Sequence, residues 1–451
     1  MIDLLQEVAA RASRYLEEVD HRPVAPSEEA LHRLAELDEP LPDGPSHPEA
    51  VIELLDRVGS PATVATVGGR FFGFVHGGCL PAALAANWLA GAWDQNAVLR
   101  VTSPISSKIE DVASRWLLQV LGLPEDCGCS FVTGATMASF TALAAARTAV
   151  LERLGWDVEA NGLFGAPEVT VFVSEEVHPS VTKALALLGL GRGRVVTLPV
   201  DRQGRILAKA FDPPGKPSIV CVQAGNVNTG SIDPVGEICA AAHQSGSWVH
   251  VDGAFGLWAA ASPLLAPLVT GVASADSWAT DAHKWLNVPY DSGLAFVRNP
   301  SYLNRAMALS AAYIPRAECR DPGLFTPELS RRARGVEIWA ALRSLGRGGL
   351  AEMIERTCAH ARRFAEGLGA AGCEVLNEVV LNQVLVAFGG AETTLRVIDR
   401  IQREGTCWCG PTKWQGRTAM RISVASWITT GEDVERSLDA IVRAVQAESV
   451  R

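Results

Sequence analysis

One lysine stands apart in a chain that writes nearly all its positive charges as arginine. Only six of the 40 basic residues are lysines, and Lys284 lies in Asp276-Ser-Trp-Ala-Thr-Asp-Ala-His-Lys284-Trp-Leu. A guanidinium stays protonated and does not attack carbonyls. An amine that is partly desolvated loses its proton and does. A lysine that follows His283 inside an apolar stretch therefore points to amine chemistry. A buried stem with a solvated head is the commoner fate of a single lysine, so its neighbours have to decide.

Four other segments carry residues of the same promise. His250-Val-Asp252-Gly-Ala254 sets an acid at the end of an apolar strand, where an unpaired charge is costly; a turn or helix cap accounts for it equally well. Thr133-Gly-Ala-Thr136-Met-Ala-Ser139 precedes a helix predicted over Phe140–Ala149. Small residues there turn backbone N–H groups towards an anion, although plain caps use the same residues. Ser174-Glu-Glu-Val-His178-Pro-Ser180 puts a flat polar ring just past a strand. Such a ring can stack on a planar ligand or simply be solvated. Ala224-Gly-Asn226-Val-Asn-Thr229-Gly-Ser-Ile-Asp233 reads as a tight loop at a strand end.

The elements that must position these residues alternate. Apolar runs at Val169–Val173, Val195–Leu198, Ser218–Val222, Trp248–Val251 and Leu294–Val297 read as strands. Helical stretches such as Pro179–Leu190 and Val235–Ser245 lie between them. That alternation predicts an α/β fold with a mostly parallel sheet covered on both faces. Ligands on such sheets bind beyond the carboxyl ends of the strands. Residues 1–60 read as an N-terminal helical arm, with helices over 2–19 and near Val51–Val58, and residues 61–310 as the large domain. Residues 311–451 read as a linker helix and a C-terminal α+β domain. In that last part we expect long helices over 326–348 and 350–371, strands near Val379–Phe388 and Ala419–Val424, and helices near Thr393–Glu404 and Glu432–Ala447.

Bulk properties exclude several classes. With 451 residues, 48% of them hydrophobic, the chain can bury a large core across two or three domains. A formal net charge of −10 argues against nucleic acid or an anionic membrane as partner, and no apolar run is long enough to span a bilayer. The start, Met1-Ile-Asp-Leu-Leu-Gln-Glu, is acidic and amphipathic, unlike a signal peptide. Ten cysteines are scattered along the chain, and Cys127-Gly-Cys129 and Cys407-Trp-Cys409 are too tight for the usual zinc spacing. We therefore expect free thiols, a cytoplasmic location and no metal. No Gly-x-Gly-x-x-Gly follows an early strand, which disfavours a dinucleotide-binding dehydrogenase.

Taken in order, the segments leading to Asp-Ala-His-Lys284 resemble the fold-type I enzymes that use pyridoxal 5′-phosphate, in particular the group II amino-acid decarboxylases that act on glutamate and aromatic amino acids. The resemblance runs from about Arg70 to the C-terminus and is strongest over 130–300. Arg70-Phe-Phe-Gly-Phe74 and Trp93-Asp-Gln-Asn96 also resemble the family's substrate region.

By that resemblance, Lys284 forms the Schiff base, Asp252 pairs with the pyridine nitrogen, Ala254 lies under the ring and His178 stacks on its other face. Ala135, Thr136 and Ser277 hold the phosphate, with Thr280 a further candidate, and His283 contacts the phosphate or the substrate. Asn226 stands where such decarboxylases usually have Thr. Phe74, His76 and Arg421 are the substrate-side residues; Arg421 is equally readable as a strand arginine paired to an acid.

The implied function is decarboxylation of a small-molecule amino acid at Cα by a homodimer, the arm wrapping its partner. In many relatives a loop tyrosine returns the proton. The comparable segment Ser310–Glu328 is short and has only Tyr313, at its start. Aldol-type cleavage, transamination, oxygen-coupled decarboxylation and a non-catalytic cofactor-binding homologue therefore stay open as alternatives.

Overall fold

The apolar runs expected as strands lie side by side in one sheet. The computed structural model describes residues 1–213, 215–308 and 320–449, so Tyr313 lies outside the described residues. The seven strands are β1 (Gly128–Val132), β2 (Val171–Ser174), β3 (Val196–Leu198), β4 (Ile219–Gln223), β5 (Trp248–Asp252), β6 (Ser277–Asp281) and β7 (Gly293–Val297). Their order is β1-β7-β6-β5-β4-β2-β3. Strands β2 to β6 pair in parallel, and β7 is antiparallel to both β6 and β1. Outside β3 every strand residue is buried. A sheet dry on both faces reads as continuous apolar runs without alternation. Strands β1 and β6 are mixed with Gly, Cys, Ser, Thr and Asp, so the apolar-run criterion passes over them.

This sheet belongs to the larger of two units, Cys79–Ala359 with Asn377–Gln383. Helices Pro179–Leu187 and Val235–Gln244 make crossovers close to their expected bounds. The helix Ala135–Arg153 starts five residues before its predicted start. Ala138, Ala142, Ala145, Ala146 and Ala149 on it have no exposed surface. Their methyl groups let the helix lie close on Cys221, Ala279 and Ala295 of the sheet. Gly293, opening β7, meets the turn before this helix: a Cβ there would stand 2.4 Å from the Gly134 Cα. Only glycine permits that backbone approach.

Four tryptophans are buried in the unit, and each indole N–H is satisfied. Trp248 donates to Ser277 Oγ (2.9 Å), Trp258 to the Asp281 carbonyl (3.0 Å), Trp278 to the Val272 carbonyl (2.9 Å) and Trp285 to Thr357 Oγ1 (2.9 Å).

The smaller unit comprises Met1–Gly78, His360–Leu376 and Val384–Arg451. Its first helix, Ile2–Glu18, matches the expected span. Strands β8 (Glu374–Val375), β9 (Gln383–Ala387), β10 (Gly410–Trp414) and β11 (Arg417–Ser423) follow the order β10-β11-β9-β8. Helices Ala391–Glu404 and Gly431–Ser449 complete the expected α+β pattern. Arg70 is 3% exposed. It donates to the Thr406 carbonyl (2.5 Å) and the Asp20 carbonyl (2.6 Å), holding the end of the first helical segment to the strand region. The helices expected over 326–348 and 350–371 form one segment, Gly335–Ala370, whose helical geometry breaks at Gly346 (φ 60°). Residues 326–334 are irregular.

In the larger unit, Arg331 and Glu110 form a buried ion pair. Arg331 also donates to the Ala97 and Phe131 carbonyls, each at 3.0 Å. Burial pushes the Glu110 carboxyl upward, and the Arg331 charge opposes it. Replacing Arg331 by Leu strands that carboxylate and two carbonyls, so the Arg331→Leu variant should lose about 3–5 kcal/mol in urea unfolding. The double variant with Glu110→Leu should recover much of the loss.

Candidate active site

The parallel strands β4, β5 and β6 deliver Gln223, Asp252 and Asp281 to the same sheet edge, with Gln223 in register with Asp252. Beyond that edge lies a cavity of about 280 Å³ whose walls include all three, just below the usual range of about 300–1,000 Å³ for small-molecule sites. The same cavity is lined by Lys284 and His283 from the loop after β6, His178 at the head of the helix Pro179–Leu187, Ala254, and the turn Thr133–Thr136.

The helix Ala135–Arg153 presents its N-terminus to the cavity. Its N-cap is Gly134, which has no side chain to satisfy the first-turn amides. Unpaired N–H groups and the helix dipole favour negative charge there. The Asp281 carboxylate supplies it: Oδ1 accepts from the Ala135 N–H at 2.6 Å. Oδ2 of the same carboxylate lies 3.0 Å from Lys284 Nζ.

Asp252 ends β5 and is 5% exposed. Its Oδ1 accepts from the Ala254 N–H at 3.2 Å. Burial raises its pKa, while the positive potential of His178 and Lys284 and the Ala254 amide lower it. His178 Nδ1 caps its own helix, 3.3 Å from the Ser180 N–H and 2.7 Å from Ser180 Oγ. His283 stacks on Tyr290 with ring centroids 4.2 Å apart, and its Nδ1 accepts from the Ser292 N–H at 3.1 Å. Burial lowers the His283 pKa against the pull of Asp281. Gln223 is 4% exposed, and its Nε2 has no partner among the described residues. An amine, a buried acid, two imidazoles and a helix N-terminus thus converge on one concave space. This set can hold an anionic, planar, carbonyl-bearing ligand and act on it through the amine.

A family model described as the pyridoxal-dependent decarboxylase conserved domain matches residues 31–389. The chain belongs to that family. The aromatic-L-amino-acid decarboxylase of Bacillus atrophaeus is 26% identical over 421 residues, spanning 88% of this chain and 85% of the relative. Tryptophan decarboxylase 1 of Oryza sativa is 26% identical over 471 residues, spanning 95% and 90%. The fold matches the crystal structure of Oryza sativa TDC with PLP and tryptamine at a TM-score of 0.90 and 23% identity, covering 99% of this chain and 97% of that one. This pyridoxal-dependent decarboxylase is a pyridoxal-phosphate enzyme of amino-acid decarboxylation, the reading that the sequence resemblance implied. No described helix is long and apolar enough to cross a membrane.

Of the residues singled out in the sequence, Ala135, Thr136, His178, Asp252, Ala254, His283 and Lys284 all line the cavity. Ser277 does not. It opens β6, at the far end from Asp281, and its hydroxyl accepts from Trp248 Nε1 and lies 3.0 Å from His250 Nδ1. Thr280 is fully buried against the Ala254 carbonyl (3.4 Å). Asn226 is buried between the lining residues Gly225 and Val227, and its Oδ1 accepts from the Asn228 and Thr229 N–H groups, so it shapes the loop. Phe74, His76 and Arg421 belong to the smaller unit. There Phe74 is exposed and its ring lies 5.5 Å from that of Trp408, the His76 ring lies 5.2 Å from that of Phe71, and burial lowers the pKa of Arg421 in β11.

Two lining residues, Gln223 and Asp281, went unassigned in the sequence. Asp281 lies inside the motif around the lysine, three residues before it. Gln223 ends an apolar run, as Asp252 does.

His250, beneath Asp252 on β5, is fully buried between Ser277 and Ser139 (3.4 Å), and burial lowers its pKa to about 3. An unfolded imidazole titrates near 6.5, so on acidification the unfolded chain takes up the proton first. The stability from the neutral ring is complete above pH 6.5 and is lost as pH falls towards 3. His250→Gln should reduce the loss of urea-measured stability between pH 6.5 and pH 5 by about 2 kcal/mol.

Proposed function

We propose that Lys284 carries pyridoxal 5′-phosphate in this cavity and that the enzyme there removes the α-carboxyl group of an amino acid. The supporting observation is the buried Asp252 carboxyl in the same cavity as the Lys284 amine, under the positive potential of Lys284 and His178. The residues also fit the group: an orphaned Gln223 amide and a small Ala254 leave polar and flat surfaces to be filled.

When bound, the cofactor supplies an electron-poor ring that draws the electron pair away as carbon dioxide departs. Asp252 would hold a proton on the ring nitrogen, because a carboxylate at that depth is stabilised by a cationic N–H. Ala254 would leave room for one ring face, and His178 would stack on the other. Ala135 and Thr136 would hold the phosphate at the helix end. Lys284 or His178 would return a proton to Cα.

Protein supplied with pyridoxal 5′-phosphate should turn yellow, and borohydride should fix the colour to the peptide that contains Lys284. Lys284→Ala should abolish fixation. Asp252→Ala should cut turnover by about 100-fold or more while leaving fixation in place. An amino-acid panel should release carbon dioxide and the matching amine; release of an aldehyde with a smaller amino acid, or of a 2-oxo acid, would replace this reading.

We also read the protein as a homodimer. The helix Pro81–Trp93 exposes Trp88 and Leu89, and Val101 and Ile105 of the same unit are exposed too. Apolar surface of this kind marks an interaction face. Light scattering should give twice the monomer mass, and Trp88→Glu should shift the population to monomer.

A further inference from the structure

The Asp281 carboxylate occupies the N-terminal end of the helix Ala135–Arg153. Its Oδ1 takes the Ala135 N–H at 2.6 Å, the amide that the helix Ala135–Arg153 would offer to an anion. Its Oδ2 holds the Lys284 ammonium at 3.0 Å, and Oδ1 is 3.5 Å from His283 Nε2. The other charged or titratable groups that feel it are Asp252 and Tyr290. The cavity is also shaped for a ligand by an independent feature: Gln223, 4% exposed, lines it with an Nε2 that has no partner among the described residues.

We propose that Asp281 is a resident anion that competes with the phosphate of the cofactor for the end of this helix. The proposal rests on the pyridoxal-phosphate reading above. Two anions cannot share one amide without repulsion. For a phosphate to bind, the carboxylate must leave the Ala135 N–H or be neutralised. An Asn in its place keeps an acceptor for that N–H and turns a donor towards the phosphate. Asp281 is thus a positioning residue that sets a penalty specific to the phosphate.

The test uses the full-length chain freed of cofactor, with pyridoxal 5′-phosphate and pyridoxal as probes that differ only in the phosphate. Affinities are read by quenching of tryptophan emission, because Trp258 Nε1 donates to the Asp281 carbonyl at 3.0 Å. Any effect on the aldehyde is common to both probes, so the ratio of the two affinities isolates the phosphate. Asp281→Asn should raise the preference for the phosphorylated probe about tenfold or more. An unchanged or smaller preference overturns the proposal. Should Asp281→Asn lose its circular dichroism signal, Asp281→Ser is read against the same ratio. If borohydride fixes neither aldehyde to Lys284 in the wild-type chain, the underlying reading fails and the proposal falls with it. If fixation occurs but the ratio stays put, only the proposal falls.

Discussion

Two carboxylates and one ammonium meet at the end of a helix, in a space walled by a sheet that is dry on both faces. Charge in such surroundings is poorly screened, so each group depends on the others. Asp252 pays for its burial through the positive potential of Lys284 and His178. Asp281 gains from an N–H at 2.6 Å and an ammonium at 3.0 Å. Neither acid would be tolerated at this depth without those partners. The chemistry of the pyridoxal-dependent decarboxylase therefore begins as a solution to an electrostatic problem.

The fold maintains that solution through direction and close approach. Parallel pairing makes β4, β5 and β6 end on one edge, so three polar residues at strand ends come to one cavity. The helix that supplies the amide is drawn in by alanines on the sheet and by the bare backbone contact of Gly134 with Gly293. Pro179 starts another helix so that His178 becomes its cap and stays at the rim.

Much of this was legible in the chain. The apolar runs announced β2, β3, β4, β5 and β7; all but β3 are buried on both faces, so no polar face interrupts them. Lys284, Asp252, His178 and the Thr133–Thr136 turn were recognisable because strand ends and helix starts are where such sheets keep their ligands. Strands β1 and β6 were not, since their small and polar residues lack an apolar signature. Ser277 entered only through the family resemblance, and strand direction puts it at the opposite end of β6 from Asp281. Gln223 gave no signal, because only register shows that it stands beside Asp252. Asp281 was in plain view, but its hold on the helix amide depends on a contact between segments 146 residues apart.

The hold of Arg70 on the Asp20 and Thr406 carbonyls gives the N-terminal segment a different status from that of a dispensable tail. Trimming the first twenty residues to aid crystallisation would leave a buried guanidinium short of an acceptor, in a place where burial already lowers its pKa. Shortened versions of this enzyme would carry that defect in their interior, however harmless the cut looks on the surface.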